Sequence, residues 1–335
     1  VASIADFQKL MGDINSRSFR PVYFLEGEEP YFIDKIADKL EKTVLTEAEK
    51  SFNYQVLYGR DSDVNDIISS AKRFPMMAEY QLIIVREAQF LKGIDAIMSY
   101  LENPVKSTVL VFLYKNKKVS RATKLGKALK KFGVFTSNKL YENEVAGWLQ
   151  THVKSLGLTI RPEVVQILIQ TIGSDLQKIT GEIDKAKANM GERTAIEIDD
   201  IARGGGIDKE YNVFELTKSV GKRDLRQSLR IVNYFARNPK DNPFVLVLIN
   251  LYNYFKKIHL IHFEKSNNPT EIARSIGMSP YFVKEYVAAA KNYQPAKMSE
   301  VFAILHEFDL KSKGIEGGKA ADGELLTELV VRLIK

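Results

Sequence analysis

The chain has 335 residues, 45% of them hydrophobic, enough for two or three domains with substantial cores. It contains no cysteine, which excludes disulfides, thiolate catalysis and zinc–thiolate sites, and its four histidines are too scattered to suggest a metal centre. A net charge of +7 permits contact with nucleic acid or acidic proteins without demanding either.

Residues 4–17 predict a short amphipathic helix through Ile4, Phe7, Leu10 and Met11; with Asp6 and Lys9 inside it, this start does not read as a secretory signal. Residues 21–25 predict a buried strand, followed by Glu26-Gly27-Glu28-Glu29-Pro30 and a helix carrying Phe32, Ile33, Ile36 and Leu40. Residues 52–58 alternate with period two and predict the next strand, and residues 64–72 a helix capped by Asp61 or Ser62. Leu82-Ile83-Ile84-Val85 is a continuous apolar run, the pattern of a strand covered on both faces in a parallel sheet. Just before it, Phe74-Pro75-Met76-Met77 gathers apolar side chains at a helix-breaking proline, hence at a corner. A helix over 94–102, a strand over 109–114, a basic amphipathic helix over 122–132 and a short strand over 134–136 complete the pattern. Strands alternating with helices predict a three-layer α/β domain over residues 1–140.

From Tyr141 onward no strand pattern survives. Helical patterns over 144–156, 162–173, 174–189 and 197–203 predict a small helical domain, 141–205, which Gly204-Gly205-Gly206 terminates because three glycines are not economically held inside an element. Residues 206–335 predict a helical bundle with apolar residues at three- and four-residue spacing and a glycine-rich connection over 314–323. The fold class is therefore α/β followed by all-α. No uninterrupted apolar run approaches about 18 residues, so no membrane span is expected.

An α/β domain followed by helical ones invites an ATPase reading, which a phosphate loop of the form G-x-x-x-x-G-K-[S/T] would carry. After the first strand stands Gly27-Glu28-Glu29-Pro30-Tyr31-Phe32: the second glycine, the lysine and the hydroxyl are missing, and two carboxylates and an amide-less proline take the anion's place. The pairs Gly126-Lys127, Gly221-Lys222 and Gly318-Lys319 are followed by Ala, Arg and Ala, so none qualifies. His259 and His262, with Glu264, form an incomplete ligand set, and G-x-S-x-G is absent. No catalytic, cofactor-binding or metal-binding residue is predicted.

Three segments remain as binding candidates. Residues 269–291 imitate a helix-turn-helix DNA reader, the alternative function for this chain, although Tyr281, Phe282, Val283 and Tyr286 stand where base-reading polar residues would be needed. Lys117, Lys118, Arg121 and Lys124, continued by Lys127, Lys130 and Lys131, form the densest positive patch, either a solvated face or a set of phosphate contacts. Phe74, Pro75, Met76 and Met77 either fill the gap between a helix end and a strand or anchor an apolar pocket on a partner; methionine suits both.

These segments, in this order, resemble the delta subunit family of the bacterial DNA polymerase III clamp loader. The resemblance is carried by residues 21–29 at the first strand, Arg73-Phe74-Pro75-Met76-Met77 with Leu82 to Ala88, and Leu156-Gly157-Leu158. It continues through Ile172-Gly173-Ser174-Asp175-Leu176 with Glu182, Val213-Phe214-Glu215-Leu216, residues 276–283 and residues 309–314. It implies an AAA+-like fold: an α/β domain without a working P-loop, a small helical lid domain, and a C-terminal helical collar domain. It also implies a cytoplasmic, non-catalytic subunit of the DNA polymerase III holoenzyme, not itself an ATPase, which binds and opens the sliding beta clamp for loading onto primed DNA. The implied partners are that clamp, the tau/gamma ATPase subunits and delta-prime. The family's clamp-inserting pair, at the tip of the helix preceding a strand, maps onto Met76 and Met77, flanked by Phe74 and Pro75. Met-Met replaces the Leu-Phe type of pair, keeping apolar volume and losing the aromatic ring.

Overall fold

The computed structural model describes residues 4–202, 212–315 and 321–335, and contacts group the chain into two units, residues 1–140 and 141–335. The triple glycine and the centre of the glycine-rich connection lie outside the described residues, so the expected boundary at 205/206 does too.

The first unit runs α1 (Ile4–Asn15), β1 (Val22–Gly27), α2 (Pro30–Thr43), α3 (Glu47–Asn53), β2 (Tyr54–Tyr58), α4 (Val64–Ala71) and β3 (Gln81–Arg86). Two 3₁₀ turns, α5 (Met98–Leu101), β4 (Thr108–Lys115), α6 (Lys124–Leu129), a further 3₁₀ turn and β5 (Phe135–Ser137) follow. The five strands form one parallel sheet in the order β2-β3-β4-β1-β5. The register pairs Val22 with Leu110 and Phe24 with Phe112 on one side of β1, and Leu25 with Phe135 on the other. Because strand side chains alternate, Val22, Phe24, Ile83, Val85, Leu110 and Phe112 share one face, where Ile67, Ala71, Leu125 and Leu129 cover them. α1 and α2 pack together, and α2 lies on the strands, which is why β1 is buried along its whole length. A parallel sheet with both faces covered requires such continuous apolar runs, and 82–85 and 109–113 supply them.

The strands stand where the periodicity placed them, with one correction. Phe52 and Asn53 belong not to β2 but to the last turn of α3, an element the alternating pattern concealed. Its start was legible: Thr46 and Glu49 form a reciprocal capping box, the Thr46 hydroxyl accepting from the Glu49 amide while Glu49 accepts from the Thr46 amide at 2.8 Å. Likewise α4 is capped by neither Asp61 nor Ser62 but by Asp63, whose carboxylate accepts from the Asn65 amide at 2.7 Å.

The second unit runs α7 (Glu142–Ser155), β6 (Thr159–Ile160), α8 (Pro162–Ile172), α9 (Leu176–Asn189), β7 (Ala195–Ile196) and α10 (Ile198–Ala202). α11 (Val213–Gly221), α12 (Leu225–Arg237), α13 (Phe244–Ile261), α14 (Pro269–Ile276), a 3₁₀ turn, α15 (Val283–Asn292), α16 (Pro295–Ser312) and α17 (Asp322–Ile334) complete it. The expectation of no strand is corrected by β6 and β7, which pair in parallel through Thr159–Ala195 and Ile160–Ile196. Two-residue strands bury too little to leave a period-two signature.

One helix of this unit bears on the expectation about membrane spans. α13 is 18 residues long with a mean hydropathy of 1.2, long and apolar enough by length and composition to cross a membrane. Its composition has a local cause: Val247, Leu251, Tyr254, Phe255 and Ile258 are bundle core, while Val245, Ile249, Tyr252 and Leu260, on another face, are exposed. Apolar residues on two faces remove the amphipathic contrast that a surface helix normally shows.

Candidate protein-interaction site

The corner between α4 and β3 is built from below by a buried polar cluster. Thr108 on β4 is fully buried and donates its hydroxyl to the Ala71 carbonyl at the end of α4, at 2.8 Å. Gln81, also buried, donates its amide to the Arg73 carbonyl at 2.6 Å and to the Thr108 hydroxyl at 2.7 Å. These bonds satisfy carbonyls that a helix terminus otherwise leaves without partners. Pro75 then keeps the chain from resuming a helix, because it biases Phe74 toward extended backbone.

From the top the corner is held by α3. The side chain of buried Asn53 accepts from the Met76 amide at 2.7 Å and donates to the Met76 carbonyl at 2.9 Å; its amide also donates to Glu49 of α3 at 3.0 Å. Tyr80, at the far end of the corner, packs edge-on against Phe19, and burial together with Glu79 raises its phenol above the ordinary value.

Between these supports the apolar side chains point away from the core. Phe74 is 83% exposed, Met76 60% and Met77 101%, with Pro75 half-buried. Met77 has φ of 51°, a left-handed conformation that L residues seldom adopt. Fully burying a Phe or Met side chain is worth roughly 1.5–3 kcal/mol, so leaving three in water forgoes several kcal/mol. Filling of the gap beneath the strand is therefore not what these residues do; Gln81, Thr108 and Ala71 occupy it. Phe52, beside Asn53 on α3, is 73% exposed and brings another ring to this edge of the unit. Period-two alternation over 52–58 hides this ring inside a predicted strand; the Thr46-x-x-Glu49 cap is the sequence signal that reveals the helix.

The basic segment divides into two kinds of residue. Arg121 makes an ion pair at 2.5 Å with Glu26, a carboxylate with no exposure, and also donates to Thr136 at 3.1 Å. Lys118 pairs with Glu28 at 3.2 Å, and the Lys117 ammonium lies 5.8 Å from the centre of the Phe90 ring. Lys124, with Lys127, Lys130 and Lys131, is exposed on or just after α6. The four predicted phosphate contacts are thus not equivalent: Arg121 and Lys118 are ion-paired within the unit, Lys117 lies near the Phe90 ring, and Lys124 is exposed.

At the end of β1, where a nucleotide site would lie, three backbone donors are taken by the protein's own acceptors. Gly27 donates to the Lys117 carbonyl at 3.0 Å, Glu29 to the Ser137 carbonyl at 3.3 Å, and Tyr31 to the Glu29 carboxylate at 3.0 Å. Pro30 has no amide to offer. Gly27 has φ of 128°, and a Cβ there would stand 1.9 Å from the Ser137 carbonyl oxygen, so the turn closes against β5.

The helix pair over 269–291 turns its second helix inward: Phe282, Val283 and Tyr286 are buried, Phe282 against Phe214 and Tyr286 against Tyr254 at ring separations of 5.6 and 4.8 Å. The His262 ring donates to the Tyr293 carbonyl at 2.8 Å, while the His259 ring lies edge-on to Phe263 and Phe302. Among the described residues no group of three metal-ligating side chains converges.

Comparison with known proteins bears on this arrangement. The family model for DNA polymerase III, delta subunit, matches residues 23–138, and that for the C-terminal domain of the same subunit matches residues 210–331. The chain is 28% identical over 329 residues to the DNA polymerase III subunit delta of Bacillus subtilis, covering 94% of this chain and 93% of the relative. It is 22% identical over 312 residues to the probable DNA polymerase III subunit delta of Aquifex aeolicus, covering 87% and 86% respectively. Among solved structures, the Bacillus subtilis DNA clamp loader delta protein aligns over 98% of this chain and 99% of its own, with a TM-score of 0.55 and 24% identity. The parallel α/β sheet followed by a helical part is the AAA+-like fold expected from the sequence.

Proposed function

Because the chain belongs to the DNA polymerase III delta subunit family, we propose that it binds the sliding beta clamp through Phe74, Pro75, Met76 and Met77 and opens it for loading onto primed DNA. The observation that carries this reading is the corner itself: three large apolar side chains held in water by buried polar supports on both sides. A soluble surface keeps such a cluster where a partner's pocket will cover it.

Opening then follows from differential binding. A subunit that binds an open or strained clamp interface more tightly than the closed ring shifts the ring toward opening by that difference in affinity, and by no more. With the donors around β1 taken by protein acceptors, the energy for exposing and withdrawing the corner comes from ATP held by the tau/gamma partner subunits in the cytoplasm. Assembly with those subunits and delta-prime has its own support in the second unit, where Val245, Ile249, Tyr252, Leu260 and Phe263 recur along one face of α13 and just beyond it, each at least 38% exposed. Primed DNA is met through the complex; the exposed lysines on and after α6 are the surface this chain offers to phosphates.

The test is the paired substitution Met76→Ala with Met77→Ala. Binding to the organism's own clamp should fall to background while thermal unfolding and assembly with the ATPase subunits stay as in the parent. A folded double variant that binds the clamp normally would refute the assignment.

A further inference from the structure

Among the described residues, positions 74–80 make no backbone–backbone hydrogen bond to one another or to the rest of the unit. Such a turn samples many conformers unless something else fixes it. Within it Met76 is nevertheless gripped at both backbone groups by one buried side chain, Asn53, at 2.7 and 2.9 Å. The next residue, Met77, is held in left-handed backbone that a non-glycine residue seldom adopts unaided. The three bonds need one oxygen to accept from the Met76 N–H and two N–H donors for the Met76 and Glu49 carbonyls, a set that an amide side chain supplies and a single hydroxyl does not. Aspartate at this position would turn a second oxygen toward the Met76 and Glu49 carbonyls, and alanine would offer neither group.

We infer that Asn53 is the positioning residue of the clamp-binding corner, fixing the Met76–Met77 backbone in the inserting conformation before the clamp is met. The inference rests on the clamp-binding reading above. Asn53 is buried and makes its bonds inside the unit, so it acts by raising the fraction of molecules whose corner is competent to bind. That role has a kinetic signature. Losing a preorganising group lowers the apparent association rate in proportion to the competent fraction and leaves dissociation of the formed complex unchanged, whereas losing a contact mainly speeds dissociation.

The experiment uses the full chain and the sliding clamp of the same organism, with surface-immobilised clamp giving association and dissociation rates. Amide hydrogen exchange over residues 74–86 is followed in parallel. Two net hydrogen bonds in the weaker half of the ordinary range correspond to about a tenfold effect. Asn53→Ala should therefore lower the association rate about tenfold, leave the dissociation rate within twofold of the parent, and speed exchange at the Met76 amide while β3 stays protected. Asn53→Asp should do the same, and it provides the reading if the alanine variant is too unstable. A parent chain that does not bind the clamp, or a Met76→Ala/Met77→Ala variant that binds normally, overturns the clamp-binding reading and this inference with it. Clamp binding that is lost in the methionine variant but unchanged in both Asn53 variants overturns the inference alone, as does a loss confined to the dissociation rate.

Discussion

Arg121 is the residue whose sequence reading and surroundings diverge most, and its removal gives a quantitative test. In Arg121→Ala the Glu26 carboxylate keeps two of its bonds, from the Val119 amide at 2.9 Å and the Thr136 hydroxyl at 3.1 Å, but loses its counter-charge at 2.5 Å. Stranding one member of a buried pair costs about 3–5 kcal/mol. The Arg121 side chain is 36% exposed while that of Glu26 is 1% exposed, so water reaches one side of the pair and screening brings the cost below that range, to about 2–3 kcal/mol. The loss belongs to the first unit, because Glu26 lies on β1 and Thr136 on β5. Denaturant titration followed by circular dichroism should show the first-unit transition displaced by that amount. Fluorescence of Trp148, the single tryptophan, should report an unchanged second unit. Adding Glu26→Gln should recover more than half the loss by removing the stranded charge, and Lys124→Ala should change stability by less than about 0.5 kcal/mol. Equal stability of Arg121→Ala and the parent, with DNA retention by the assembled loader lost, would refute the internal strut and return Arg121 to the phosphate-contact set.

Two further predictions concern the other surfaces. Bonds from Arg332 and Lys311 hold the Glu307 carboxyl down at about 2; with its folded value below its unfolded one, its contribution is full above the ordinary carboxylate range and is lost as pH falls through about 2. Glu307→Gln should therefore flatten the acid side of the second unit's stability profile between about pH 4.5 and 2 without steepening it near neutrality, as read by Trp148 fluorescence. Phe52→Ala should leave stability within about 0.5 kcal/mol of the parent, because the ring is 73% exposed, yet weaken clamp binding about fivefold in a titration; equal affinity would remove Phe52 from the contact surface.

The elements that could be read in the sequence are those whose burial repeats with a clear period. The runs 82–85 and 109–113 declare β3 and β4 because both sheet faces are covered, and the amphipathic helices declare themselves by one wet face. α3 was lost because Phe52, Tyr54, Val56 and Tyr58 mimic strand alternation across a helix–strand junction, a case in which the cap chemistry at Thr46 outweighs periodicity. For the corner, Pro75 located the break, but composition could not say whether the methionines face in or out. That depends on Thr108, Gln81 and Asn53, which come from other elements and fill the space beneath. Arg121 likewise looked like one more surface cation because its partner Glu26 is 95 residues away in sequence.

The central claim, that the corner at Phe74–Met77 enters the clamp, is tested most directly by placing a benzophenone amino acid at position 77 and irradiating the full loader assembly with ATP and clamp. The account predicts a covalent adduct between this chain and the clamp, mapping to an apolar surface pocket and suppressed by an excess of unmodified chain. An adduct formed only with another loader subunit, or with DNA, would contradict it.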